Sequence, residues 1–199
     1  METITVNMPT SLDDLTLGQF QRLSLLSEEK DEDIKTRAYC SIVYSMPGEI
    51  VKRTPKVVLN QLVRAVDEVL SQQPEFINRF TLYGVEYGFI PDLDRMTAGE
   101  WVDMETCGFD PDKLHKLMAI FYRPIIETKG EKYLIASYTG DEDSEVFKDS
   151  PASIITGALL FFSRIVCDCM PYILSLNAKT QTYISSGVSL AKSGAGIVR

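Results

Sequence analysis

Histidine and tryptophan occur once each in these 199 residues, as His115 and Trp101, and cysteine four times. A structural zinc takes four nitrogen or sulfur ligands, which one imidazole and scattered thiols supply poorly. Cys167 and Cys169 are two apart in a helical pattern, and such residues do not face each other. With Cys40 and Cys107 they lack the spacing of a disulfide framework, so all four read as small buried residues of a reduced, cytosolic setting. Basic charge is also scarce. Lys plus Arg number 20 against 28 Asp plus Glu, a formal charge of −8. A nucleic-acid binder presents a basic face, so direct sequence-specific nucleic-acid binding is not expected. There is no glycine-rich phosphate loop, because Gly194-Ala195-Gly196 has no Lys or helix after it. There is no Gly-x-Ser-x-Gly elbow either. METITVNMPT has no basic region followed by an apolar run, so no signal peptide is expected. The most apolar stretch, 152–169, carries Arg164 and Asp168 and ends before Pro171. A membrane span needs about 20 apolar residues, so a core helix is expected in preference to a partner-buried face, and no membrane span.

What is present is ordinary for a globular chain. Hydrophobic residues make up 45% and charged residues 24%, which argues against wholesale disorder. A single domain is expected over 1–176. The Ser/Gly-rich residues 177–199 should form a flexible C-terminal tail. Thr3 to Val6 alternates like a short edge strand. Thr16-Leu17-Gly18-Gln19 is a capping-box pattern that starts a helix to about Leu26. Asp31 to Ser45 predicts the next helix, with Ile34, Ala38, Ile42 and Val43 inward, and Pro47-Gly48 breaks it. Glu49 to Arg53 reads as one helical turn. Thr54-Pro55 reads as a cap followed by Pro, opening a helix to about Gln72 with Val58, Leu59, Leu62, Val66, Val69 and Leu70 as its apolar stripe. After Pro124, Ile125-Ile126 and Tyr133 to Ile135 flank Thr128 to Glu131 as a hairpin. Thr139 to Asp149 reads as a solvated acidic loop, and Ser150-Pro151 as the cap of the apolar helix.

The densest block of local signals is Arg79 to Pro124. Phe80, Leu82, Val85, Tyr87 and Phe89 have strand spacing about Tyr83-Gly84, which predicts a hairpin over 79–90. Thr97-Ala98-Gly99-Glu100 is a second capping box and opens a short helix to about Cys107, where Gly108 suits a left-handed stop. Asp110-Pro111 starts another helix with Leu114, Leu117, Met118 and Phe121 on one face. Tyr122-Arg123-Pro124 ends it, since the residue before Pro avoids the α region. The expected fold is α+β and predominantly α-helical: about five or six helices, two small β-hairpins and the tail.

Few groups point to chemistry. Pro91-Asp92 with Glu127 and Lys129 resembles the PD-(D/E)xK nucleases, which hold a metal between acidic residues with a Lys beside the attacking water. That reading needs all three groups to converge. Asp92-Leu93-Asp94 reads more simply as a turn with side-chain-to-backbone hydrogen bonds. His115, with no partner evident in sequence, reads as a surface or boundary residue. The expectation is therefore no catalytic, cofactor-binding or metal residues, and no cofactor. Trp101, Phe121, Phe161 and Phe162 are the candidate interface anchors.

FTLYGVEYGFIPDLDRMTAGEWVDMET, followed by LHKLMAIFYRPI, resembles a block in small proteins of the structural and assembly modules of tailed bacteriophages. The Thr16 to Phe20 start belongs to the same likeness. It implies a non-enzymatic virion structural protein, such as a head–tail connector or ring component or a packaged protein. Its partners would be other phage structural proteins, with copies of itself as a further possibility. It would be made in the host cytoplasm and carried in the virion. A cytosolic tail-assembly chaperone is the alternative within the same class, and the metal nuclease the alternative outside it.

Overall fold

The computed structural model describes residues 5–26, 29–108, 110–140 and 143–164. Contacts divide the chain into a unit over 1–158 and a second over 159–199, of which 159–164 are described. The expected boundary after residue 176 lies outside the described residues. The class is α+β with helix predominant, and seven helices and a four-stranded antiparallel sheet stand among the described residues.

Three of the helices start where a side chain supplies the acceptor their first amides lack. In α1 (Leu17–Leu25), Thr16 accepts from the Gln19 amide while the Gln19 side chain accepts from the Thr16 amide, so two orphan donors are met reciprocally. Asp31 accepts the amides of Asp33 and Ile34 to open α2 (Glu32–Tyr44). Its inward face differs from the expected one. Tyr39 and Cys40 are buried, Ala38, Ile42 and Val43 are half-buried, and Ile34 is 46% exposed. The single turn expected after Pro47 is α3 (Gly48–Arg53), a helix in its own right. Thr54 does not cap the helix after it. Its hydroxyl donates to Ile50 O at 2.8 Å and closes α3, and Pro55 takes the cap position of α4 (Lys56–Leu70). On α4, Leu62, Val66 and Val69 are buried and Val58 is exposed.

The hairpins form as the spacing predicts. β1 (Arg79–Leu82) pairs with β2 (Val85–Phe89), and the turn residues Tyr83 and Gly84 have φ of 50° and 79°. Two positive φ values make the turn type that matches strand twist, and glycine takes its share without a Cβ penalty. After a 3-10 turn at Leu93–Arg95, α5 (Ala98–Cys107) opens on the Thr97–Glu100 box. Gly108 stops it with φ 55° and ψ −150°, a positive-φ conformation but not the left-handed helical one expected. Asp110 caps a 3-10 turn, Pro111–Lys113, before α6 (Leu114–Phe121). The chain passes straight from α6 into β3 (Tyr122–Lys129). Arg123 precedes Pro124 and is thereby biased to extended backbone. β4 (Lys132–Ile135) completes the second hairpin. β2 also pairs with β3, Phe89 opposite Tyr122, so the two expected hairpins form one sheet in the order β1-β2-β3-β4. The proposed strand at Thr3 to Val6 is not seen at Thr5 and Val6, which are irregular; residues 3 and 4 lie outside the described residues.

The acidic loop is only partly solvated. Glu145–Asp149 forms a 3-10 turn, and Phe147 within it is buried. Its ring meets Tyr87 at 5.0 Å, centroid to centroid, and Phe80, Tyr87, Phe89 and Tyr122 continue this aromatic cluster beneath the sheet. Residues 152–164 are helical (α7). In the first unit Ala152, Ile154, Ile155 and Ala158 of α7 are buried, as a core helix requires. Its start is laced to the start of α1. Leu17 N donates to Ser150 O and Ala152 N to Leu15 O, each at 2.8 Å, around a Thr16–Pro151 bridge. Leu12, Leu15, Leu23, Tyr39, Val66, Val69 and Ala152 form the helical core around this junction.

Candidate functional site

The residues singled out from the sequence do not gather. Asp92 caps its 3-10 turn, with Oδ1 accepting from Asp94 N at 3.1 Å, as the turn reading expects. β2 ends at Phe89 opposite Tyr122, and Glu127 lies further along β3, opposite Leu134. Five residues of strand span about 17 Å, so Asp92 and Glu127 sit at opposite ends of the sheet. Lys129 is beyond Glu127, at the second hairpin's turn. No group of three or more His, Cys, Asp or Glu suited to a metal ion occurs among the described residues.

The four aromatic candidates differ in environment. Trp101 is 50% exposed and lies beside Val102, 59% exposed, on α5. Phe121 is a core residue, 1% exposed and packed on Phe89 at 5.7 Å. Of the interface candidates it is the one enclosed within this chain's own core. Phe161 and Phe162 are half-buried, with ring centroids 6.1 Å apart.

Two buried polar assemblies replace them. The first joins α5 to β3. Glu100 Oε1 lies 2.7 Å from Arg123 Nη2, with the two side chains 3% and 8% exposed. The other oxygen of the same carboxylate accepts the Thr97 amide, so one group both caps its own helix and pairs across the fold. The guanidinium lies over the Tyr138 ring at 5.8 Å, and Tyr138 OH donates to Asp103 Oδ2 at 2.6 Å. Arg123 Nε has no acceptor among the described residues. The sequence shows the cap, but a partner 23 positions away on a strand leaves no local signal.

The second assembly is centred on His115, which is buried and not at the surface as expected. Its Nδ1 lies 3.1 Å from Gln21 Nε2 of α1, and its Nε2 lies 3.3 Å from Glu145 Oε1. The same Gln21 amide nitrogen donates to Pro111 O at 2.7 Å. Burial, aided by the Lys148 charge, pushes the imidazole below the usual histidine range, against a smaller opposing pull from Glu145. Both ring nitrogens are thus engaged by protein groups. Of the cysteines, Cys40 and Cys107 are free and buried, and burial pushes both thiols up. Cys167 and Cys169 lie outside the described residues.

Exposed large apolar side chains occur along the chain, Val57 on α4 among them, and three of them lie together at the far end of the sheet. Val85 on β2, Ile126 on β3 and Leu134 on β4 are 41%, 63% and 54% exposed. Tyr87 pairs with Pro124, so two residues further along each strand Val85 and Ile126 are neighbours, and Ile126 falls in the bulge between the pairings of Ile125 and Glu127 with β4. The three side chains therefore cross adjacent strands. No described helix is long and apolar enough to cross a membrane. Comparison with known proteins gives no relative: no family model, curated protein or solved structure matches the chain.

Proposed function

We propose that this chain is a non-enzymatic structural protein of a tailed bacteriophage virion, such as a connector or ring component or a packaged protein. It works by burying apolar side chains against other virion proteins. The observation that carries the reading is the exposed row Val85, Ile126 and Leu134 on three adjacent strands, together with Trp101 and Val102 on α5. Large apolar side chains grouped at a surface favour protein contact over solvent. The acidic balance of the chain favours a protein partner over nucleic acid, and the likeness of the 80–125 block to phage assembly-module proteins points the same way.

Mass spectrometry of purified particles tests the virion reading, with detection at stoichiometric levels expected. Presence in infected cells together with absence from particles would replace it with the tail-assembly chaperone. The interface itself has a built-in probe. Trp101 is the only tryptophan, so its emission should shift to the blue when a partner covers α5, and Leu134→Lys or Ile126→Lys should each weaken that partner's binding about thirtyfold, since such anchors carry ~2 kcal/mol each. Magnesium-dependent plasmid cleavage that Asp92→Ala abolishes would overturn the non-enzymatic reading.

A further inference from the structure

The hydrogen-bond partners of His115 fix where its proton sits. Gln21 Nε2 contacts both Pro111 O at 2.7 Å and His115 Nδ1 at 3.1 Å. A carbonyl oxygen only accepts, so the amide nitrogen and not the amide oxygen must face it. The same NH2 group then donates to Nδ1, which must carry a lone pair. The proton is on Nε2, where it is directed at Glu145 Oε1, 3.3 Å away. One neutral ring thus joins α1 through Gln21, its own helix α6, and the Glu145–Asp149 turn.

A second proton has no good place in this arrangement. At Nδ1 it would set a donor against the Gln21 donor. Rotating the amide by half a turn would offer Oε1 to the ring, but would press that oxygen against Pro111 O. It would also move the NH2 to where Oε1 now sits buried with no partner among the described residues. Either way one of the two Gln21 bonds that tie α1 to residues 111–115 is lost. The charged groups on the elements packed against α6 do not compensate. Lys148, 40% exposed on the 3-10 turn, and Lys116 on α6 oppose a positive ring, while Glu145 and Asp112 favour it. Glu145 is itself 66% exposed and shared with Lys148 at 2.7 Å. Arg22 on α1 lines the adjoining cavity with Asp112, Lys148 and Asp149. Asp110 is paired with Lys113 near the ring's helix, and Arg123 on β3 is held by Glu100. Asp103 on α5 accepts from Tyr138.

We propose that His115, Gln21 and Glu145 form a proton-sensitive clasp: neutral, it holds α1 against residues 111–115, and on protonation it releases the Gln21 link while keeping Glu145. The cavity of about 330 Å³ lined by Thr16, Gly18, Gln21, Arg22, Asp112, Lys148 and Asp149 lies beside that seam, and it widens when the link opens. The clasp acts in mildly acid solution, below the ordinary histidine value of about 6.5.

The chain has a single histidine, so its ring can be followed by nuclear magnetic resonance without assignment ambiguity. At neutral pH the Nδ1 resonance should be that of an unprotonated nitrogen. On acidification the ring should titrate with a midpoint below that of free histidine, and amides of α1 and of residues 111–115 should shift with the same midpoint. Gln21→Glu, which places an acceptor against Nδ1, should raise the midpoint above that of the unchanged protein. Gln21→Met removes the opposing donor at similar volume and should raise it less; it serves if the Glu variant does not fold. A proton found on Nδ1, a midpoint at or above the free value, amides of α1 that ignore the ring, or a midpoint unmoved by either substitution would each overturn the clasp.

Discussion

At the scale of single residues, space and charge decide what can be exchanged. Gly88 lies beneath the Tyr133 ring. A Cβ there would stand 2.4 Å from Tyr133 Cε2, while Tyr133 OH donates to Phe89 O at 2.7 Å and Arg79 lies over the ring at 4.4 Å. Gly88→Val should displace this lid and destabilise the protein by about 1–3 kcal/mol, as overpacking does, read as a lower urea midpoint. The Glu100–Arg123 pair makes the opposite kind of prediction. Removing one charge strands the other in the interior, so Arg123→Met alone should cost about 3–5 kcal/mol, while Glu100→Gln with Arg123→Met should recover a large part of that loss. A double-mutant cycle in urea measures this directly, and equal, additive losses would show that the pair is not coupled. Glu100 was legible in the sequence as a cap and Arg123 only as a helix end. Their union was not, because it depends on where the fold sets the start of β3 relative to α5.

At the scale of elements, the caps carry the sequence's clearest instructions. The Thr16 and Thr97 boxes both close as their spacing dictates, since a side chain three residues away can only reach back when the backbone turns. Thr97→Ala should cost about 1 kcal/mol of stability, measured by thermal or chemical melting. Thr54 shows the limit of such patterns: a Thr-Pro pair fits either the end of one helix or the start of the next, and here the hydroxyl bonds backward to Ile50 O. Close approach of elements is set at Gly157 on α7, where a Cβ would meet Glu75 O at 2.4 Å. Gly157→Ala, ordinarily a helix-favouring exchange, should therefore destabilise, and a rise in melting temperature would show that the 75–76 segment yields easily. The Tyr83 turn holds a further tie, Tyr83 OH to Asp149 Oδ2 at 2.8 Å, which links the first hairpin to the segment that buries Phe147.

At the scale of the whole molecule, the buried phenols make stability depend on alkaline pH. Tyr39 is pushed up to about 12, chiefly by burial and then by Asp67, and Tyr44 to about 12, chiefly by burial. Both folded values lie above the unfolded value of about 10. Their contribution is fully present below pH 10 and is lost as pH rises from 10 through 12. Melting temperature should fall across that window, and Tyr39→Phe with Tyr44→Phe should flatten the fall, though the second change also gives up the bond from Tyr44 OH to Leu62 O. The sequence alone determined the class of fold, the position of nearly every helix, both turns and the two capping boxes, because those follow from interactions spanning a few residues. Only the tertiary structure joined the hairpins into one sheet, buried His115 against Gln21 and Glu145, drew Phe147 into the core, and sent Asp92 and Glu127 to opposite ends. Those outcomes rest on pairings between positions far apart in the chain, where hydrogen-bond and charge partners are chosen by packing and carry no local pattern.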